Sequence, residues 1–196
     1  SDVYKRQGQA KSTAIVAMTD VNYCVDACPY ELDNGADYVV SRALSNSYLH
    51  DNIRAKGGAY GDGINVSANM VYMFSYRDPN LDKTFEVYEN AYEWLRTRDF
   101  KEEDLNSLII GAYNMFDPLL TARQKSLTAF GMLLSHKTVD DTNRELGQAL
   151  KTDNESFKAF ADKLEAAMKN KGRAVLTNDK GMEETKIKFE DKIEIK

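Results

Sequence analysis

The chain has 196 residues, of which 42% are hydrophobic and 10% aromatic, enough apolar material for a real core and too much for a disordered chain. Its formal net charge is −5 with lysines and arginines scattered among the acids, so it lacks the clustered positive charge that displaces counterions from nucleic acid. Apolar runs extend only a few residues, which leaves no candidate for a membrane-spanning helix.

Residues 1–13 open with S-D-V-Y-K-R-Q and carry no structural pattern; they are read as a non-native or disordered lead, with the native chain extending further upstream. The structured part, 14–196, begins with a β-forming stretch from Ala14 to Val25 that predicts one or two strands. Cys24 and Cys28 fall here. Two cysteines do not make a disulfide scaffold, and four residues of strand hold them on one face but too far apart to bridge, so both are read as buried free thiols in a reducing compartment.

Pro29 and the Asp33-Asn34-Gly35 cluster end the stretch. A helix follows from Ala36 to about Arg54, apolar on much of its circumference and therefore expected against a sheet. Gly57 and Gly58 stop it. Two strands come next, Ala59 to Val66 and Met70 to Tyr76, linked as a hairpin, the second close to an unbroken run of β-formers.

After Asp78-Pro79 the pattern turns helical. Leu81, Phe85, Tyr88, Tyr92 and Leu95 mark one amphipathic stripe, and Asp99 with Glu102 reads as a capping box ahead of Leu105, Leu108, Ile109, Ala112 and Met115. Asp117-Pro118 restarts a helix with Leu127, Phe130 and Leu134 on its apolar face, and Thr138 opens another. Thr152 with Glu155 reads as a second capping box, before Phe157, Phe160, Leu164 and Met168. Residues 173–177 return to strand, and the tail alternates Ile187, Phe189, Ile193 and Ile195 as a weak strand signal. The order predicts one α+β domain with a mostly antiparallel or mixed sheet and its helices largely on one face.

Chemistry-bearing motifs are few. His50 and His136 are the only histidines, and neither opens an H-x-x-E-H or H-E-x-x-H pattern, so no metal site is expected. The G-x-S-x-G elbow and the phosphate-binding loop are absent, and the glycines from Gly57 to Gly63 follow a helix and precede a strand, the reverse of a dinucleotide fingerprint. What stands out is the run from Asn52 to Gly63, N-I-R-A-K-G-G-A-Y-G-D-G, which sets a guanidinium (Arg54) and a phenol (Tyr60) on either side of a double-glycine turn. Arg has fixed donors suited to the carbonyls of an extended peptide, and a Tyr hydroxyl can donate to a developing oxyanion. The same two residues also suit a plainer role, an Arg at a helix C-terminus and a Tyr packed in a strand.

The segments L-H-D-N-I-R-A-K-G-G-A-Y-G from Leu49, F-S-Y-R-D-P-N-L from Phe74, T-F-E-V-Y from Thr84 and D-V-N-Y from Asp20 closely resemble the last domain of presequence proteases, of the pitrilysin/insulinase superfamily of zinc metallopeptidases. The resemblance covers residues 14–178. It implies a pitrilysin-type α/β roll, here lacking some opening strands, in a protein of four such domains that close around a peptide. It implies that Arg54 grips a substrate carbonyl, that Tyr60 supports the scissile carbonyl as it becomes tetrahedral, and that Gly57 and Gly58 shape the turn between them. Zinc and the H-x-x-E-H motif would belong to an N-terminal catalytic half absent from this chain, which alone would bind no catalytic metal and cleave nothing. The implied partners are that half and a peptide substrate, and the implied setting is bacterial cytoplasm or an organelle matrix. A metal-free scaffold or partner subunit of the same fold is the alternative.

Overall fold

A computed structural model describes residues 11–116 and 118–195. Residues 1–10 of the expected lead lie outside the described residues, as does Asp117. The first strand begins two residues inside the expected lead: the β-forming stretch makes two strands, β1 (Ser12–Val16) and β2 (Asn22–Pro29). Helix α1 (Ala36–Leu44) runs without a break into a π-helical segment, Ser45–Ala55. Strands β3 (Gly61–Val66) and β4 (Met70–Asp78) form the expected hairpin. The stripe from Leu81 to Leu95 is divided at Asn90 into α2 (Asp82–Glu89) and α3 (Ala91–Arg96). Helices α4 (Glu102–Tyr113), α5 (Ala122–Leu134), α6 (Val139–Ala149) and α7 (Asn154–Met168) follow, then β5 (Gly172–Thr177), a short α8 (Asp179–Glu184) and β6 (Asp191–Glu194).

The six strands form one sheet in the order β3-β4-β2-β5-β1-β6. Pairing is antiparallel from β3 through β5 and parallel where β1 lies between β5 and β6, so the fold is α+β with a mixed, mostly antiparallel sheet. Period-2 alternation then sorts the side chains. Ala14, Cys24, Cys28, Val71, Met73 and Val175 point to one face and form a single core with Leu44, Leu49, Ile53, Phe85, Tyr88, Phe157, Phe160 and Leu164 from the helices. Each large side chain buried this way contributes about 1.5–3 kcal/mol. A smaller cluster joins α1 to α4 and α6 through Val39, Ala112 and Ala149.

One charge pair sits inside this core. Asp26 on β2 is fully buried opposite Arg173 on β5, whose Nε and Nη2 donate to its two carboxylate oxygens at 2.8 and 2.7 Å. The guanidinium also reaches Glu89 at 2.9 Å and lies 4.1 Å from the centroid of the Phe85 ring. A bidentate fork with a further acceptor is the arrangement that makes such a buried pair tolerable.

The other face of the sheet is different in kind. Tyr23, Val25, Tyr72, Phe74, Tyr76, Leu176 and Ile193 fall on it by alternation, and all are half-buried or exposed.

Several local expectations are corrected. Neither expected capping box forms: α4 starts after Lys101 with no side-chain cap, and Asp99 instead accepts from Asn154 Nδ2. On α7 the cap is Asp153 with Ser156, one residue later than expected, while the Thr152 hydroxyl donates to the Ala149 carbonyl. Thr121 with Gln124 and Thr138 with Asp141 do form boxes. Ile187 and Phe189 pack against the core rather than joining a strand, leaving β6 to residues 191–194. The apolar stripe of α5 finds no core: none of its residues is buried, and Leu127, Phe130 and Leu134 stand exposed.

Candidate functional site

The double-glycine turn is produced by the winding ahead of it. In the π-helical segment the Lys56 N–H bonds the Asp51 carbonyl five residues back, at 3.0 Å. The stop is correspondingly wide: the Ala59 N–H reaches the Ile53 carbonyl at 3.1 Å, one residue further back than in the usual α-helical stop. The two glycines do separate jobs. A Cβ on Gly57 would lie 2.3 Å from the Ile53 carbonyl oxygen and 2.8 Å from that of Asn52, whereas Gly58 supplies the left-handed backbone, with φ +83°.

A second element clamps the turn. Asn80 Nδ2 donates to the Gly57 carbonyl at 2.7 Å, and Asn80 is held in turn by its own N–H to Asp78 Oδ1 at 2.9 Å. Asp78 is fully buried and accepts at its other oxygen from the Thr84 hydroxyl at 2.7 Å, while its carbonyl takes the Asn22 amide at 3.0 Å. The Asp-Pro-Asn segment after β4 thus fixes where the turn, and the residue leaving it, must lie. Neither Asp78 nor Asn80 is picked out by the sequence as a site residue; the available signal was a turn former directly after a strong strand.

Tyr60 leaves the turn onto the uncovered sheet face and is 61% exposed. Its N–H donates to the Arg77 carbonyl at 3.3 Å, its ring centroid is 5.7 Å from that of Tyr76, and the Arg77 guanidinium carbon stands 5.3 Å from its own. From Tyr76 the rings continue to Phe74 at 6.4 Å and Tyr72 at 5.9 Å, those of Tyr76 and Phe74 lying over their cross-strand partners Gly61 and Gly63. The result is an aromatic row along the open side of the hairpin, with Tyr60 at one end.

Arg54 is exposed near the end of the π-helical segment. Its charge, with that of His50, acts on Asp62, a half-buried β3 carboxyl on the helix side of the sheet: burial raises the Asp62 pKa, and the two basic groups oppose the rise. Among the described residues no hydrogen bond joins the side chains of Arg54 and Tyr60. The two side chains stand in open surroundings with different neighbours, Tyr60 over the uncovered sheet face beside Tyr76 and Arg77, and Arg54 near Asp62 on the helix side. No three His, Cys, Asp or Glu side chains among the described residues cluster to hold a metal ion, so the residues present do not fit zinc.

This fold is that of the M16 peptidase domains. An M16 peptidase inactive domain from Pseudomonas fluorescens superposes with a TM-score of 0.65 at 10% identity, covering 87% of this chain and 44% of that one. Pitrilysin superposes with a TM-score of 0.59 at 13% identity, covering 96% and 22%. In sequence, residues 12–178 match the family described as the PreP C-terminal domain, and the chain belongs to that family. Presequence protease 1, chloroplastic/mitochondrial, of Arabidopsis thaliana is 34% identical over 172 residues, which take in 84% of this chain but 16% of the relative. The chain therefore spans about a sixth of that relative's length.

Proposed function

We propose that the chain is the substrate-gripping, non-catalytic domain of a longer zinc metalloprotease that degrades short unfolded peptides. In this reading Arg54 holds a backbone carbonyl of the bound peptide, and the Tyr60 hydroxyl donates to the scissile carbonyl as negative charge develops on its oxygen. Zinc and the carboxylate that activates water come from the catalytic half of the longer protein, which is also this domain's partner; the setting is bacterial cytoplasm or an organelle matrix. Gly57 and Gly58 serve by geometry, carrying the chain from helix to sheet face within two residues.

The observation that carries the reading is Tyr60 itself: a large aromatic phenol left mostly exposed, yet braced by Tyr76, Arg77 and a turn anchored on buried Asp78. Arg54→Ala and Tyr60→Phe in the full-length protein should each lower peptide turnover, Tyr60→Phe by about 10²–10³-fold as for other oxyanion donors. Both variants should melt at the wild-type temperature. Unchanged turnover in both would refute the reading.

A metal-free scaffold or partner subunit of the same fold is the second reading, favoured by the unburied apolar stripe of α5, which suits a surface made for assembly. An intact H-x-x-E-H upstream selects the enzyme, and its loss selects the scaffold.

A further inference from the structure

Arg77 adopts φ +49°, and His136 is the only other non-glycine residue with positive φ among the described residues. The cause is a β-bulge. Tyr76 pairs with Tyr23 and Asp78 with Asn22, so Arg77 is the extra residue between them. Without it, alternation from outward Tyr76 would send Arg77 into the helix-covered face and Asp78 out. With it, Asp78 takes the buried slot from which it anchors Asn80, and Arg77 is left exposed beside Tyr60.

A bulge of this hand is ordinarily filled by glycine, which takes left-handed backbone without penalty. Keeping the bulge therefore does not account for an arginine. What glycine would lack is the side chain, whose guanidinium carbon lies 5.3 Å from the Tyr60 ring centroid. The Arg77 carbonyl accepts from the Tyr60 N–H as well, so one residue holds Tyr60 through both backbone and side chain.

We infer that Arg77 is a positioning residue for Tyr60, a strained bulge arginine that fixes the ring so that the hydroxyl meets the peptide in one orientation. The inference deepens the reading of Tyr60 above and rests on it. A residue needed only for the fold and one needed to aim Tyr60 respond differently to Arg77→Gly, because glycine relieves the backbone and deletes the cation.

The test compares Arg77→Gly, Arg77→Lys and Tyr60→Phe in the full-length protein, with kcat and KM measured on a short unfolded peptide. Arg77→Gly is expected to keep or raise the melting temperature while lowering kcat about 2- to 5-fold, the most that an exposed cation–π contact can hold in place, with KM changed less than about twofold. Arg77→Lys, which keeps a cation beside the ring, should recover part of that loss, and Arg77→Gly added to Tyr60→Phe should cost little more. Full kcat in Arg77→Gly beside an impaired Tyr60→Phe overturns this inference alone; full kcat in Tyr60→Phe overturns the functional reading and this inference with it. Should Arg77→Gly unfold, nuclear Overhauser contacts between the Tyr60 ring and the Arg77 side chain in this chain decide: their presence supports the inference and their absence overturns it.

Discussion

The two glycines of the turn predict an order of damage. Replacing Gly57 by alanine puts a Cβ 2.3 Å from one backbone carbonyl oxygen and 2.8 Å from a second, and both carbonyls belong to the wound segment rather than to a side chain that can swing away. Relief requires the segment's last turn to move. Overpacking of this kind costs about 1–3 kcal/mol, and contact with backbone argues for the upper part of that range. Gly58→Ala meets open space, with only Pro79 Cγ at 3.6 Å, so its penalty is the left-handed backbone alone. That is about 1–2 kcal/mol, less about 0.4–1 kcal/mol regained from a less flexible unfolded chain, for a net of about 1 kcal/mol. In a domain of this size each kcal/mol lowers Tm by roughly 2–4 °C, so Gly57→Ala should fall about 4–12 °C and Gly58→Ala about 2–4 °C. Gly58→Asn should lose less than Gly58→Ala, since asparagine tolerates the left-handed region. Urea titrations of this chain supply the free energies, with an unchanged slope showing that only stability has moved. If Gly58→Ala proves as damaging as Gly57→Ala, the assigned division of labour is wrong.

Three further outcomes are expected. Arg173→Met leaves buried Asp26 without its partner and should cost about 3–5 kcal/mol in urea unfolding, while the double variant Asp26→Leu/Arg173→Met should recover much of it; an equal loss in both would place the cost in packing instead. The Asp141 carboxyl is held down from 3.8 to about 2, chiefly by the Thr138 hydroxyl and N–H and also by Arg144. Because this folded-state value is depressed, its contribution to the α6 cap is complete above about 4 and lost as pH falls through about 2, which amide exchange along α6 should show and Asp141→Asn should abolish. Burial pushes the Cys24 thiol up to about 12 and that of Cys28 up to about 11, with Asp78 and Asp26 adding to the first and Asp26 to the second, so an alkylating agent at pH 8 should label neither until urea opens the fold. Rapid labelling of the native chain would contradict their burial.

How much of this could be read beforehand follows the range of the forces involved. The run from Met70 to Tyr76 had to be a strand flanked by others, and the 3.6-residue stripe Phe157, Phe160, Leu164, Met168 had to be a core helix, because each pattern is set by one burying face. The double glycine announced a turn beside Arg54 and Tyr60 for the same local reason. The winding of the segment before it did not show, since the apolar spacing from Val39 to Ile53 fits an ordinary helix as well. Nor did the bulge, which depends on the register of Tyr76 and Asp78 against Tyr23 and Asn22, some fifty residues away. The α7 cap falls on Asp153 rather than Thr152, although both residue types cap well, and the Thr152 hydroxyl bonds the Ala149 carbonyl instead.

Helix α5 owes its shape to its ends. Thr121 and Gln124 satisfy each other's backbone groups at its start, and nothing in the domain's interior rewards its folding. A thirteen-residue helix on those terms is close to balance in water. It can melt and reform while the sheet stays intact, and substitutions in the core that lower the melting point of the whole should leave its local opening unchanged. Whatever comes to rest on Leu127, Phe130 and Leu134 would therefore stiffen this one helix before it stabilised anything else.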